Sequence, residues 1–408
     1  MKILHIISGA NPEGGGPIEG ILSQAIVWHK MGHKREIVSL DRPHDPWVVA
    51  CPVKVHALGI RSPFYQRLHS LLPWLRYGYT PHLVPWLRQH ADEYDAVIIN
   101  GLWNYTTLAA LRALRGGPVP YFVFTHGQID PWFRKTYPIK HIFKQIFWWF
   151  VEGPLMHGAC SVLYTTEEEK ILARNAFWPY QVRESVVSYG TVDVVGDTEA
   201  QIAAFRSHMP ALDRRRFLLF LGRIHPKKGC DILIRAFARV ACVHSDTDLV
   251  IAGPDQIGWR RELERIAHEE GIAARIHWPG MLRDDVKWGA YRAADAFVLP
   301  SHSENFGIVV AEALACNLPV LITDKINIWR EVAAGGGGLV AHDEVDDFTR
   351  VVRRFLEMSK EDKEQMAARA RDVFAKHFDI NANAANMLDI LAPFKNANAL
   401  ARKSGSRS

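Results

Sequence analysis

The sequence predicts an α/β protein of two successive domains, each a parallel sheet with helices on both faces. Three observations carry that expectation. Short apolar runs alternate with helical stretches through the N-terminal half, the alternation lapses at residues 194–213, and a second alternating set begins at Phe217. Strands interleaved with helices pair in parallel, because each helix carries the chain back across a face of the sheet. The 408 residues leave room for two such domains of roughly 150–200 residues each.

The elements follow in order. Residues 2–8 read as a strand, and Gly14-Gly15-Gly16-Pro17 then leads into a helix over 20–31. Glycine lets backbone approach a ligand closely, and proline suits the first helical position. Apolar runs at 36–40, 96–99, 121–124, 161–164 and 185–187 read as further strands, with helical stretches such as 106–114 between them. Residues 194–213 read as a linker. Beyond it, strands are predicted at 217–221, 249–252, 276–278, 296–299, 320–323 and 339–340, with helices at 232–240, 260–270, 284–293 and 346–358. Glycines 335–338 read as a turn and 379–394 as a final helix. The tail after Lys395 is small, polar and basic, and is expected to be mobile.

Composition excludes several classes. The five cysteines, at 51, 160, 230, 242 and 316, show no C-x-x-C spacing and are odd in number. That pattern suits a reduced compartment with neither disulfide framework nor zinc site. The apolar start at 3–7 is too short to read as a signal peptide. No run reaches the ~18 apolar residues of a membrane-spanning helix. The net charge is +5 but unevenly placed: residues 54–144 carry 11 Lys and Arg against four acids, interleaved with Trp, Tyr, Phe and Leu. No nucleic-acid motif accompanies this basic stretch, so nucleic acid is not expected as a partner. An anionic membrane surface suits aromatic side chains and Lys or Arg stems better. Residues 140–151, Lys-His-Ile-Phe-Lys-Gln-Ile-Phe-Trp-Trp-Phe-Val, read either as a core helix with two exposed lysines or as an interfacial helix.

The chemistry-bearing residues gather in the C-terminal half. Ser303-Glu304-Asn305-Phe306-Gly307 follows the predicted strand 296–299, and an apolar helix then carries Glu312 more than one turn inside it. The helix start aims free N–H groups and a positive helix end at an anion. Glu304 and Glu312 can accept hydroxyl hydrogen bonds on either side of it. A phosphate between two polyols describes a nucleotide-sugar. The strand 217–221 ends in Gly222-Arg223, and Lys227-Lys228-Gly229 precede the next helix. Arg offers a planar fork and Lys a point charge to a diphosphate.

These pieces, together with Thr125-His126-Gly127 and Ala252-Gly253-Pro254, resemble the family 4 retaining glycosyltransferases of GT-B architecture, in the family's order along the chain. The resemblance implies two Rossmann-like doubly wound parallel-sheet domains facing a deep cleft. It divides the chain into an acceptor-binding domain at 1–195, a nucleotide-sugar-binding domain at 196–378, a helix at 379–394 crossing back to the first domain, and the tail 395–408. It implies transfer of a sugar from a nucleotide diphosphate donor to an acceptor hydroxyl with retention, without a cofactor or an obligatory metal. No Asp-x-Asp stands at a strand end, which agrees: Asp246-Thr247-Asp248 precedes a strand. By the same resemblance Glu304 contacts hydroxyls of the transferred sugar and Glu312 those of the ribose. Arg223 and Lys228 hold the diphosphate, with Lys228 favoured over Lys227 by the Lys-Gly pairing. Gly15, Gly16, Asn305, Phe306, Gly307 and Ile308 complete the donor site, with Asn305, Phe306 and Gly307 acting through backbone N–H groups. His126 lies near donor sugar and acceptor, and Asn100 and Asp130 join it on the acceptor side.

The expected acceptor is a saccharide or lipid-linked saccharide in bacterial surface polysaccharide or lipopolysaccharide synthesis. The expected location is the cytoplasm, peripheral at the inner face of the membrane. Alternatives are a nucleotide-sugar epimerase of the same architecture and a non-catalytic nucleotide-sugar-binding scaffold. A dehydrogenase is discounted: Asp41 mimics a ribose-binding acid, but residues 9–16 lack G-x-G-x-x-G in the proper frame. The chain departs from the family at 188–193, where Asn-Gly is common, and at Asn317, which replaces a common glycine.

Overall fold

A computed structural model of the chain describes residues 1–12, 16–60, 77–132, 134, 137–188, 190–212 and 215–395. Gly14, Gly15 and the tail from 396 lie outside them, as do Arg61, Arg67, Arg76 and Lys135 of the basic stretch. The chain divides into two compact units, 1–190 with 380–408, and 191–379.

The first unit is built on strands β1 (Lys2–Ile7), β2 (Lys34–Ser39), β3 (Lys54–Ala57), β4 (Ala96–Asn100), β5 (Tyr121–Phe124), β6 (Ser161–Tyr164) and β7 (Glu184–Val186). Every pairing is parallel, in the order β3-β2-β1-β4-β5-β6-β7. Both faces are covered, so successive residues of one strand enter different cores: Val97 and Ile99 pack on one side of β4, Ala96 and Ile98 on the other. That is why these strands read as continuous apolar runs. The helix Ile380–Leu391 belongs to the second of these cores through Ile380, Ala384, Met387 and Leu391. The buried Trp28 indole donates to the Ala384 carbonyl at 3.0 Å, and the Arg35 guanidinium stacks 3.5 Å over the Trp28 ring.

The second unit has strands β8 (Arg216–Leu221), β9 (Thr247–Ala252), β10 (Ile276–Gly280), β11 (Ala296–Leu299), β12 (Val320–Thr323) and β13 (Gly338–Ala341). They too are all parallel, in the order β10-β9-β8-β11-β12-β13, around one continuous core. Each sheet is therefore doubly wound. The chain grows outward from β1 or β8 to one edge, then returns to build the other side, and the order reverses between β1 and β4 and between β8 and β11.

The linker expected at 194–213 is corrected. Helix Thr198–His208 occupies it, capped by the Asp197 carboxylate on the Ala200 N–H at 2.7 Å. It buries Gln201 and Phe205, one turn apart, against helix Asp284–Ala293. The approach is close because residue 289 is glycine: a Cβ there would lie 1.8 Å from the Gln201 carbonyl oxygen. The edge strand β3 and the helices Trp329–Gly335 and Lys360–Val373 were not anticipated. Asn317 has φ 57°, a left-handed backbone that asparagine tolerates better than most residues.

Candidate active site

In an open α/β sheet ligands bind beyond the carboxyl ends of the strands where the order reverses. In the second unit those ends belong to β8 and β11. β8 runs into Gly222-Arg223, and a short 3-10 turn, Pro226–Lys228, leads to Gly229 and helix Cys230–Ala241. Gly229 is left-handed at φ 67°, and a Cβ on it would sit 2.0 Å from the Pro300 carbonyl oxygen beyond β11. Gly253, beyond β9, has φ 145° and would drive a Cβ to 1.8 Å from the Gly222 carbonyl oxygen. Glycine is thus required at both positions by backbone packed on backbone.

This packing brings Lys228 against Glu304 in a direct ion pair, with side chains 14% and 17% exposed. The Glu304 backbone is fixed as well: its N–H donates to the Lys325 carbonyl at 2.9 Å, and its carbonyl accepts from the Asn327 N–H at 3.0 Å. The Ser301 hydroxyl and the His302 N–H both donate to the Lys227 carbonyl, each at 2.9 Å, tying the β8 loop to the β11 loop. Phe306 is buried edge-on against Phe378, Gly307 is left-handed at φ 67°, and helix Ile308–Ala315 starts from it with Ile308 exposed. The first N–H groups of that helix have no intrahelical acceptor. Asn305 receives a long contact, 3.4 Å, from the Asn327 amide.

Glu312 lies in the second turn of that helix. Lys287 donates to one of its oxygens at 2.9 Å and the Tyr291 hydroxyl to the other at 3.0 Å. Burial, with Glu312 beside it, pushes the Tyr291 phenol well above its usual range, so it remains a donor. Arg223 is exposed and forms no ion pair among the described residues. Asp248, the second acid of Asp-Thr-Asp, is bound at the opposite end of its strand by Arg215, Arg275 and His277.

In the first unit the corresponding ends are those of β1 and β4. Asn100 closes β4 and is buried. Its Oδ1 lies 3.2 Å from His126 Nε2 and its Nδ2 lies 3.2 Å from His5 Nδ1. His126 follows β5 with φ 52°, stacked 4.3 Å from the Phe124 ring. Burial holds its imidazole down to about 3 and lowers that of His5 as well, so both rings are neutral. The Glu169 carboxylate anchors the His126 turn, accepting from the Gly127 N–H and the Thr125 hydroxyl at 2.6 Å. Asp130 accepts from the Trp132 N–H at 2.8 Å, an internal turn contact. Gly16 opens helix Gly16–Lys30, with open space where its side chain would be. Asp41 is bound within the unit, to the Ala10 N–H at 2.6 Å and the Trp47 indole at 3.0 Å.

Next to Asn100 the loop of Gly101 and Trp103 is left-handed at both residues, with φ 82° and 68°. Buried Glu152 accepts the Trp103 N–H at 2.8 Å and the Thr107 hydroxyl at 3.0 Å through one oxygen, and burial raises its carboxyl to about 7. Glu152 ends the π-helical stretch Trp148–Glu152, which continues helix Pro138–Phe147. No residue of that helix is buried; Ile139, Ile142 and Phe143 are each more than 60% exposed, and Phe150 is 72% exposed. The core-helix reading therefore fails for 140–147; beyond them Trp148 and Val151 are buried while Trp149 and Phe150 are exposed. No described helix is long and apolar enough to cross a membrane.

Sequence reasoning did not single out Lys287, Tyr291, Glu169, Glu152 or His5. The i,i+4 pair Lys287 and Tyr291 marks one helix face, and Glu152 is an acid closing an apolar run; only those two signals were present in the sequence.

The chain matches the family model for a glycosyl transferase 4-like domain over residues 15–190 and that for glycosyl transferases group 1 over 203–373. It is 35% identical over 159 residues to the D-inositol 3-phosphate glycosyltransferase of Mycolicibacterium gilvum, which spans 38% of this chain and 35% of that relative. Among solved structures it resembles Anabaena HepE in complex with UDP and glucose, with TM-score 0.71 and 18% identity over 96% of this chain and 100% of that one. It also resembles WaaG, a glycosyltransferase involved in lipopolysaccharide biosynthesis, with TM-score 0.63 and 17% identity over 95% and 99% of the two chains. At such identities the structural likeness is one of fold.

Proposed function

The chain belongs to the glycosyl transferases group 1 family, and from that premise we propose that it moves a sugar from a nucleotide diphosphate donor to an acceptor hydroxyl with retention of configuration. The observation that carries this reading is the Lys228–Glu304 ion pair beside the Gly307 helix start at the β8/β11 reversal. There a cation, a helix N-terminus and a carboxylate converge. Arg223, Lys228 and the N–H groups opening helix Ile308–Ala315 would stabilise charge on the departing diphosphate, which grows as the glycosidic bond breaks. Glu304 would accept hydroxyl hydrogen bonds from the transferred sugar. Glu312 would accept from the ribose, held in place by Lys287 and Tyr291. In the first unit His126 would meet hydroxyls of the donor sugar or the acceptor, with Asp130 on the acceptor side.

The acceptor is a saccharide or lipid-linked saccharide, in surface polysaccharide or lipopolysaccharide synthesis. The exposed apolar helix Pro138–Phe147, which also carries exposed Lys140, supports peripheral contact with an anionic membrane. A thermal-shift screen across UDP-, GDP- and ADP-sugars tests the donor class. At 100 times its Kd, the true donor adds about 2.7 kcal/mol of stability. A flat response to all three classes, with no free nucleotide released when saccharide acceptors are supplied, would sink the reading.

A further inference from the structure

We propose that Asn100 is a positioning residue that fixes His126 as its Nε2–H tautomer, so that the imidazole meets a substrate hydroxyl through Nδ1, as a hydrogen-bond acceptor. The contact with a hydroxyl rests on the reading of His126 given above; the tautomer does not.

The surroundings of Asn100 fix the orientation of its amide. Asn100 Nδ2 lies 3.1 Å from the Ile98 carbonyl oxygen and 3.3 Å from the Ile6 carbonyl oxygen. Carbonyls only accept hydrogen bonds, so the amide must turn its NH2 toward them; the reversed amide would set oxygen against two oxygens in a buried site. These carbonyls belong to β4 and β1, whose parallel register is fixed by the sheet. Asn100 Oδ1 is thereby committed to the other side, 3.2 Å from His126 Nε2. An amide oxygen also only accepts, so Nε2 must carry hydrogen. A neutral imidazole has one N–H, and burial keeps this ring neutral. Nδ1 is the nitrogen with the lone pair. The left-handed turn at His126 and its stacking on Phe124 hold the ring against rotation.

His5 completes the arrangement. Its Nδ1 faces the same NH2 at 3.2 Å and must offer a lone pair, which leaves its own hydrogen on Nε2. Burial and then nearby Arg35 keep His5 neutral, so no imidazolium competes for Asn100. The two histidines are thus held in one tautomeric sense by an amide that cannot flip. The consequence for recognition is directional: a hydroxyl approaching His126 Nδ1 must donate, and an analogue with fluorine or a keto oxygen there loses the contact.

The test is a long-range 1H–15N correlation spectrum of the 15N-labelled full chain, with His126 assigned by its loss in His126→Gln. At pH 7 the expected pattern is a bare-nitrogen shift at Nδ1 and a protonated shift at Nε2, unchanged between pH 8 and pH 5. Hydrogen on Nδ1, or a titration within that range, overturns the proposal. Asn100→Asp gives a second reading. A carboxylate beside Nε2 raises the His126 pKa by roughly 1–3, so imidazolium becomes detectable at pH 5 and kcat acquires an acid limb absent from the wild type. Unchanged binding of free nucleoside diphosphate reports that the variant is folded, and a folded variant with an unmoved His126 contradicts the proposal. Full activity in His126→Ala beside the stated wild-type tautomer would remove the hydroxyl contact alone.

Discussion

The two order reversals of this molecule are built alike and lined oppositely. Beyond β8 and β11 the side chains are charged: Lys228 pairs with Glu304, Lys287 pairs with Glu312, and Arg223, just after β8, is exposed. Beyond β1 and β4 they are neutral: His5 and Asn100 are buried and His126 is partly so, with both imidazoles held uncharged by burial. The same sheet geometry therefore carries two kinds of lining. Fixed charges suit a ligand that is itself charged and becomes more so as a bond breaks. Neutral donors and acceptors of set direction suit hydroxyls, whose positions must be read but whose charge barely changes.

The largest effect that can break this comparison lies on the charged side. Arg223→Ala and Lys228→Ala should each lower kcat by ~10²–10³, the loss typical of one preorganised electrostatic group. Lys227→Ala should change it far less. Single-turnover rates at saturating donor decide this, and a larger loss at Lys227 would mean that the loop register is misassigned.

Ligand binding separates the two carboxylates. Glu312→Ala should weaken the nucleotide-sugar and the free nucleoside diphosphate alike, roughly 10- to 100-fold for a charged hydrogen bond. Glu304→Ala should weaken mainly the sugar-bearing ligand. Calorimetric titration of both ligands compares them, and equal losses for the Glu304 variant refute its assignment to the sugar.

Glu152 sharpens the comparison from the neutral side, because it is a carboxyl where charge is poorly tolerated. Its folded pKa, about 7, stands above the ordinary 4.5, so the folded state holds the proton more tightly. Its contribution to stability is fullest below pH 4.5, is lost as pH rises toward 7, and is flat above, at up to ~1.4 kcal/mol per pH unit in the window. Glu152→Gln keeps an acceptor for the Trp103 N–H and should remove that slope. Urea unfolding of both proteins from pH 4.5 to 8 measures it, and parallel curves would show that Glu152 is ionised throughout.

The smallest effect concerns the surface. Lys140→Glu should reduce sedimentation with anionic vesicles at low salt, since each Lys or Arg near such a surface contributes ~1 kcal/mol and salt screens it. Ile142→Ser with Phe143→Ser should remove the part that survives high salt. A wild-type chain that ignores anionic vesicles at low salt would make a soluble acceptor the better choice.

Much of the fold is visible in single residues. β5, β6, β11 and β12 coincide with the predicted runs because both faces of these sheets are covered, so every position but Ser161 and Thr323 is apolar or aromatic and turn residues mark the ends. β3 escapes because it lies at an edge with no residue fully buried. Helix Thr198–His208 escapes because its buried stripe is Gln201 and Phe205, and a glutamine inside an amphipathic pattern reads as surface. In the site, Gly229 after Lys228 marks a loop whose left-handed backbone sequence can suggest. The partners of Glu312 lie on another helix, and nothing local in the sequence joins Lys287 and Tyr291 to it. Asn100 was legible as a strand-end polar residue, but its burial against two carbonyls is a property of the β1–β4 register, which only the folded sheet fixes.

The interlocked glycines have a consequence for anyone mapping this protein by variation. A methyl group at 229 or 253 strikes a carbonyl oxygen of another loop, at Pro300 or Gly222. In a growth-based scan both positions would score as intolerant as Lys228, though neither carries a side chain that could touch a ligand. Ranking residues by loss of activity would merge the scaffold with the chemistry. Scoring abundance beside activity pulls them apart: positions 229 and 253 should lose protein, and position 228 should lose only turnover.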